Sequence, residues 1–484
     1  MTSPTNILLI AIDSLRADHM SLYGHGRVTT PHIDRWAEGG VVYEHHVSPA
    51  IPTTPAFGAM LTGTDVFTTG LVSLANDDKS NESVPTLPEL LRAAGYESTC
   101  IGFAAKSPAR LGQVFGSVRG FDNYQTYDSS GSWATRPARK ADNLNDVAIP
   151  ELERLATAGR PFLLMTRHMD PHSPYLPPPP FDRLFYGGDE CDPANRSLDA
   201  VRDFKPFADY FAPWFPPGCS DKDYIIAQYD GAVAYMDACI GKLLEAVRGL
   251  GLEDSTLIVL LSDHGETLYD HECWFDHHGL YETTLRVPLI FRLPGRLPVG
   301  RRIVAPSVMV NVTPTILELL GVETDVAFDG RSLAGEMRGE PRPADEETYL
   351  TECHWMRKHG WRTPRWKYIH ALEPDFHSKP EVELYDLAAD PGELTNLAAE
   401  KPDVCRELEE RVQAHIALRE TQTGRRNPMA MGTRWVGGKT IPCPFATSRE
   451  AYDTLHIGDA EAGRRAMALH AEVMAKNRGG TPAG

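Results

Sequence analysis

Leu257-Ile258-Val259-Leu260-Leu261 runs without interruption into Ser262-Asp263-His264. An apolar run with no alternation suits a strand buried on both faces, as in a parallel sheet covered by helices. The polar triplet that ends it falls where such sheets bind ligands, at the carboxyl ends of the strands. Two other runs have the same form: Ile7 to Ile12 ends at Asp13, and Phe162-Leu163-Leu164-Met165 leads towards Asp170 and His172. Before the 257–261 run, Ile225, Tyr229, Ala232, Val233, Met236, Ile240, Leu243, Leu244 and Val247 recur at helical spacing. Thr30-Pro31 predicts another helix, with Thr as cap and Pro at the first position. Pro85 to Ala94 predicts a third. Strands alternating with helices indicate an α/β fold with a doubly wound, mostly parallel central sheet.

The chain has 484 residues, enough to bury a core without disulfides or structural metals. Charged residues make up 24% and hydrophobic residues 42%, which excludes wholesale disorder. Lys and Arg number 48 against 66 Asp and Glu, a net charge of −18. That sign argues against a nucleic-acid binder, which needs a basic face. It leaves open a small anionic substrate, because a local metal reverses the field. The segment MTSPTNILLIAIDSLRAD has no basic leader, and its apolar run stops at Ile12, unlike a signal peptide. No window approaches the ~18 apolar residues of a membrane span, so no membrane association is expected. Cysteines at 100, 191, 219, 239, 273, 353, 405 and 443 form no CxxC pair. They are expected to be reduced thiols of a cytoplasmic protein.

Residues 1–340 are expected to form the catalytic α/β domain. Within it, 171–222 is rich in Pro, Asp and aromatics, and predicts a long ordered loop inserted over the site. Residues 341–420 contain TPRWKYIHAL and EVELYDLAADPGELTNLA, which predict two short strands, a turn and a helix in a smaller α+β subdomain. Residues 421–484 have weak periodicity apart from a helix near Ala460 to Ala475. They are read as an extension packing on the body or on a neighbouring subunit, the route to a homo-oligomer. No internal repeat is present.

Asp13, Asp263 and His264 form a metal-type set, since two carboxylates and an imidazole suit Mn, Zn, Mg or Ca. Singly, a strand-end Asp is a common helix cap and an Asp-His pair is ordinary surface chemistry. Together at strand ends they favour ligation. Ile51 to Gly63 (IPTTPAFGAMLTG) predicts a turn into a short helix ending at glycine. Thr53 or Thr54 would stand at its N-terminus, where the dipole favours an anion. Either residue is an ordinary cap there; a nearby cation turns the hydroxyl into a nucleophile.

Asp13-Ser-Leu-Arg16, Thr30-Pro-His-Ile-Asp34, the TxPxxxxxLTG segment, Asp170-Pro-His-Ser-Pro-Tyr175 and Ser262-Asp-His-Gly-Glu266 occur in that order. Leu280-Tyr-Glu, Arg286-Val-Pro-Leu-Ile, Trp366-Lys-Tyr and Leu384-Tyr-Asp-Leu follow. Over roughly residues 4 to 400 this resembles the sulfatase family of the alkaline phosphatase superfamily. The resemblance implies an α/β sandwich, a smaller C-terminal subdomain and metal-assisted nucleophilic displacement at phosphorus or sulfur. It also implies roles for His172 as an oxyanion contact or leaving-group acid, and for His278, preferred over His277, as leaving-group acid. His277 then faces the substrate, as do Asn76, Asp77 or Asn81 and the alternative hydroxyl Thr54. Lys106 resembles the family's Gly-Lys element, and Arg16 is expected to pack or orient Asp13.

The departures from the family pattern are informative. Sulfatases place Cys or Ser in C-x-P-x-R and oxidise it to formylglycine. Here Thr53 stands at that position and Phe57 at that of the Arg. Threonine cannot give the aldehyde, because its β-carbon carries a methyl group. Cys191-Asp-Pro-Ala-Asn195 lacks the Arg and lies in the wrong segment. Ser14 replaces the second Asp of the family's pair, and His264 replaces the usual Asn. Asp13, Thr53, Asp263 and His264 therefore resemble the ligand set of relatives that use an unmodified threonine, such as nucleotide pyrophosphatase/phosphodiesterases, phosphonoacetate hydrolase and lipoteichoic acid synthase. The single N-terminal Asp and the Asp-His pair also resemble phosphonate monoester hydrolases. The resemblance implies one divalent ion, manganese before zinc, calcium or magnesium; the two-metal spacing Asp-x-x-x-His is missing at the matched place. A formylglycine hydrate releases sulfate by collapsing to the aldehyde, whereas a threonine ester must be cleaved by water. Phosphorus tolerates that better than sulfur, so a phosphodiester or phosphonate monoester is the expected substrate. Sulfate-ester or sulfamate hydrolysis without formylglycine, and a non-catalytic anion binder, are the alternatives.

Overall fold

Ile7, Leu9 and Ala11 belong to one apolar cluster and Leu8, Ile10 and Ile12 to another, so strand β1 (Asn6–Ile12) is packed on both faces. That double burial is what its unbroken apolar run requires. The computed structural model describes residues 5–73, 81–103, 118–128, 140–203, 215–341, 347–353, 357–373, 375, 377 and 379–431. Beside β1 lie β6 (Phe162–His168) and β7 (Thr256–Ser262), both parallel to it. Strands β4 (Glu97–Ile101) and β5 (Asn123–Gln125) extend the parallel run beyond β6. On the other side β8 (Arg286–Arg292) pairs antiparallel with β7 and with β2 (Val41–Val47). Strands β9 (Arg301–Ile303) and β10 (Ser307–Val308) both join β2, giving a nine-stranded, mostly parallel sheet.

Helices Lys140–Thr157 and Lys222–Gly249 cover one face, through Leu144, Leu152, Tyr229 and Val233. Helices Thr53–Thr62 and Val312–Leu320 cover the other, through Phe57, Met60 and Ile316. The expected α/β sandwich is therefore present. The helix after Thr30 spans Pro31–Ala37, but the Thr30 hydroxyl donates to Asp34 Oδ1 at 2.7 Å instead of capping the backbone. Leu87–Ala93 starts with a capping box, in which the Thr86 N–H donates to Glu89 Oε2 at 2.8 Å. The described part of the 171–222 insertion docks on the Lys222–Gly249 helix. Gln228 Nε2 donates to the Asp182 carbonyl at 2.6 Å, and Tyr186 Oη to Asp221 Oδ2 at 2.7 Å.

The C-terminal subdomain is larger than its sequence indicated. Strands β11 (Thr348–Cys353), β12 (Arg357–Arg362), β13 (Trp366–Ala371) and β14 (Val382–Asp386) form an antiparallel meander, where only two strands were expected. The first two, Thr-Tyr-Leu-Thr-Glu-Cys and Arg-Lys-His-Gly-Trp-Arg, have neither an apolar run nor a strict alternation to betray them. A fifth strand, β3 (Ala50–Ile51), comes from the main domain and pairs parallel with β11, Ile51 opposite Glu352. Helix Pro402–Thr423 packs on this sheet through Leu408 and Val412. The helix expected near 460–475, and most of the 421–484 extension, lie outside the described residues. Among the described residues no helix is long and apolar enough to cross a membrane. The seven described cysteines are free.

Candidate active site

The ladder of the central sheet continues one residue past its strands. Asp13 N–H donates to the His168 carbonyl at 2.9 Å, and Asp263 N–H to the Ile12 carbonyl at 3.2 Å. These bonds hold the two carboxylates side by side at the carboxyl ends of β1 and β7. His264 follows, and all three side chains are fully buried. Its Nε2 stands 3.9 Å from Asp13 Oδ1 and 3.6 Å from Asp263 Oδ2. Thr53 is the first residue of its helix, at the positive end of the dipole, and its Oγ1 lies 3.3 Å from His264 Nε2. Thr54 is buried one residue further into the same turn. The sequence therefore brings Asp13, Thr53, Asp263 and His264 together as expected.

His264 Nδ1 lies 2.9 Å from the Gly265 carbonyl, so its proton belongs there and Nε2 presents a lone pair. Burial pushes this imidazole down to about 3, which keeps it neutral. Burial also raises Asp263 well above the usual carboxylate range, with the adjacent Asp13 adding to the effect. Asp263 Oδ1 accepts from the N–H groups of Ser14, at 3.2 Å, and His264, at 2.8 Å. Its Oδ2 accepts no hydrogen bond among the described residues. Two carboxylates, an imidazole lone pair and a hydroxyl thus converge with one acceptor atom unmatched. Such a donor set fits a divalent cation and is costly without one.

Asp13 is held well below the usual range. Burial opposes this, but Arg167 and then His172 and His264 outweigh it. Arg167 grips Asp13 Oδ2 through both Nε, at 3.0 Å, and Nη2. Its guanidinium lies 4.7 Å from the Phe103 ring centroid, and Phe103 in turn meets Phe57 edge-on at 4.9 Å. Arg167 lies beyond the apolar run Phe162–Met165 that marks its strand, so that run does not reveal it. A charged residue in a central buried strand was itself the available signal, because such a group needs a partner.

His172 Nε2 lies 4.0 Å from Asp13 Oδ1, at the edge of the same cluster. The ring that faces this cluster is that of His277, at 4.4 Å from the His264 centroid and 5.9 Å from that of His172. His278, preferred on sequence, instead has its Nε2 at 3.4 Å from Asp276 Oδ2 and its ring 5.0 Å from His377. The structure turns His277 towards His264 and His278 towards Asp276 and His377. Burial would lower the His277 pKa, but Asp276 and Glu266 outweigh it and hold it well above the usual value. His277 Nδ1 lies 2.9 Å from Asp276 Oδ1, so a cationic imidazole stands beside neutral His264.

Other expected residues lie elsewhere. Arg16 does not orient Asp13; it pairs with Asp18, at 2.7 Å, and Asp270, at 2.5 Å. Asp170 accepts from Ala141 N–H at 3.0 Å and pairs with Lys140 at 3.2 Å, anchoring a helix start. Asn81 Nδ2 donates to the Thr68 carbonyl at 3.1 Å and serves a turn. Lys106, Asn76 and Asp77 lie outside the described residues.

An α/β sandwich with an acid-imidazole cluster at the ends of parallel strands, beside a hydroxyl on a helix N-terminus, defines a class of metal-dependent hydrolases. The chain belongs to the sulfatase family, whose model matches residues 5–322; a model described as N-sulphoglucosamine sulphohydrolase, C-terminal, matches residues 270–419. A sulfatase from Formosa agariphila is 27% identical over 431 residues, covering 81% of this chain and 83% of that protein. A multifunctional alkaline phosphatase superfamily protein from Trinickia caryophylli is 27% identical over 492 residues, covering 82% and 91%. The crystal structure of the phosphonate monoester hydrolase of Agrobacterium radiobacter superposes with a TM-score of 0.69 at 24% identity, over 86% of this chain and 96% of that one. This last likeness supports the fold.

Proposed function

We propose that this hydrolase acts on phosphodiesters or phosphonate monoesters, with Thr53 as an unmodified nucleophile. The observation that carries the proposal is the placement of Thr53 Oγ1 at 3.3 Å from His264 Nε2, beside the two strand-end carboxylates. Asp13, Thr53, Asp263 and His264 would hold a divalent ion, which supplies positive charge to lower the hydroxyl pKa and to polarise the ester. Thr53, its hydroxyl proton released to solvent beforehand, attacks phosphorus through Oγ as the alkoxide; the Oγ–P bond forms and the bond to the leaving oxygen breaks. His277, held cationic by Asp276, gives its proton to that oxygen. Water then cleaves the phosphothreonine and returns a proton to the imidazole. His172, with Nε2 4.0 Å from Asp13 Oδ1, would contact a non-bridging oxygen of the ester. The step at threonine needs direct attack by water on the esterified group, and this favours phosphorus over sulfur.

The test is an assay of bis-p-nitrophenyl phosphate, phenyl phosphonate esters and p-nitrophenyl sulfate on protein stripped with chelator and reloaded with manganese, zinc or calcium. Turnover of the phosphorus esters is expected only after reloading. Appreciable turnover of the sulfate ester alone would establish the second reading, a sulfatase without formylglycine, which the name of the Formosa relative favours.

A further inference from the structure

His359 on β12 and His370 on β13 are paired directly across the C-terminal sheet, so both imidazoles stand on one face of it. Glu409 reaches that face from the Pro402–Thr423 helix. His359 Nε2, His370 Nδ1 and Glu409 Oε2 converge, all within 4.8 Å of one another, with His370 Nδ1 3.6 Å from Glu409 Oε2. Each of these three atoms is buried, and none has a hydrogen-bond partner among the described residues. The atoms on their far sides are all engaged. His359 Nδ1 lies 3.2 Å from Tyr349 Oη, His370 Nε2 lies 3.5 Å from Glu381 Oε1, and Gln413 Nε2 donates to Glu409 Oε1 at 2.7 Å.

Three ligand atoms left unmatched at one point, each side chain steadied from behind by another group, is the arrangement of metal-binding imidazoles and their outer oxygen partners. We propose that His359, His370 and Glu409 form a second metal site, separate from the Thr53 centre, for a divalent ion of the zinc class. Two imidazoles and one carboxylate suit zinc and its neighbours and not the all-oxygen shells of magnesium or calcium. The His370 and Glu409 side chains are 26% and 29% exposed, so the cluster lies near the surface of the subdomain although its ligand atoms are covered. The ion would staple the helix to two strands of the sheet.

Zinc is the probe. Full-length protein is stripped with chelator, reloaded with zinc sulfate, desalted, and its zinc counted by mass spectrometry of the element. His359→Phe and Glu409→Gln should each lower the zinc count by one equivalent, both in the parent chain and in an Asp263→Asn background. Reloading should raise the Tm of the Asp263→Asn protein, and this rise should vanish when either substitution is added. Hydrolysis by Glu409→Gln should match that of the parent. Equal zinc counts for parent and variants, or no zinc on the Asp263→Asn protein, would overturn the site. Glu409 is partly exposed, so its variant decides the matter if His359→Phe does not fold, with circular dichroism as the check.

Discussion

Asp13 divides its two oxygens between different tasks. One is gripped by Arg167, and the other faces His264 and His172. Arg167→Met would leave a buried carboxylate without its cation, a loss of about 3–5 kcal/mol by analogy with broken buried pairs. Urea unfolding in chelator should show that loss, and a divalent ion should reduce it; an unchanged midpoint would mean that the pair is idle. At the nucleophile, Thr53→Ala should lower kcat by about 10³-fold or more while sparing the fold, as when other nucleophiles are removed. Thr54→Ala should be mild. Loss of activity in Thr54→Ala alone would move the assignment by one residue. Asp13, Asp263, His264 and Thr53 were legible because each ends an apolar run or opens a helix. The orientation of His277 and His278 was not, since it depends on a left-handed turn at Phe275 (φ 58°) and a bridge between Thr267 and Asp276.

Among the elements, β2 and β6 carry fully buried histidines, His46 and His168, in each case pushed down to about 3 by burial. Both are neutral in the folded chain, while the unfolded chain takes up protons near pH 6.5. The unfolded state therefore binds more protons between about pH 3 and 6.5, and stability is lost as pH falls through that window. Each such histidine contributes a slope of about 1.4 kcal/mol per pH unit. His46→Gln keeps a hydrogen-bonding group near Ser307 and should flatten the dependence by about that amount. Denaturant titrations at several pH values below 6.5 would show it, and an unaltered slope would mean that His46 is protonated in place. The central strands and the long helix could be read from periodicity alone. Strands β11 and β12 could not, because they are short and polar, and charged residues such as Lys358 and Arg362 are satisfied by distant partners, Asp375 and Glu282.

Across the whole molecule, the C-terminal subdomain supports the catalytic face. Glu352 on β11 accepts from the Gly279 N–H at 3.0 Å, just beyond the inward-facing His277. Glu352→Ala should lower kcat by roughly 10–100-fold, the range seen when groups behind a site are removed, with less effect on KM. A fall in KM affinity without change in kcat would place Glu352 in substrate binding instead. The fold class and the two-part organisation were visible in the sequence. The shared strand was not, because a two-residue element leaves no periodic trace.

Ala50 and Ile51 find their strand partners at Thr351 and Glu352, three hundred positions later in synthesis. A ribosome must therefore release most of the polypeptide before the segment leading into Thr53 can be clamped. Until that last third arrives, the helix that begins at Thr53 is held only by its packing on the main sheet, through Phe57 and Met60.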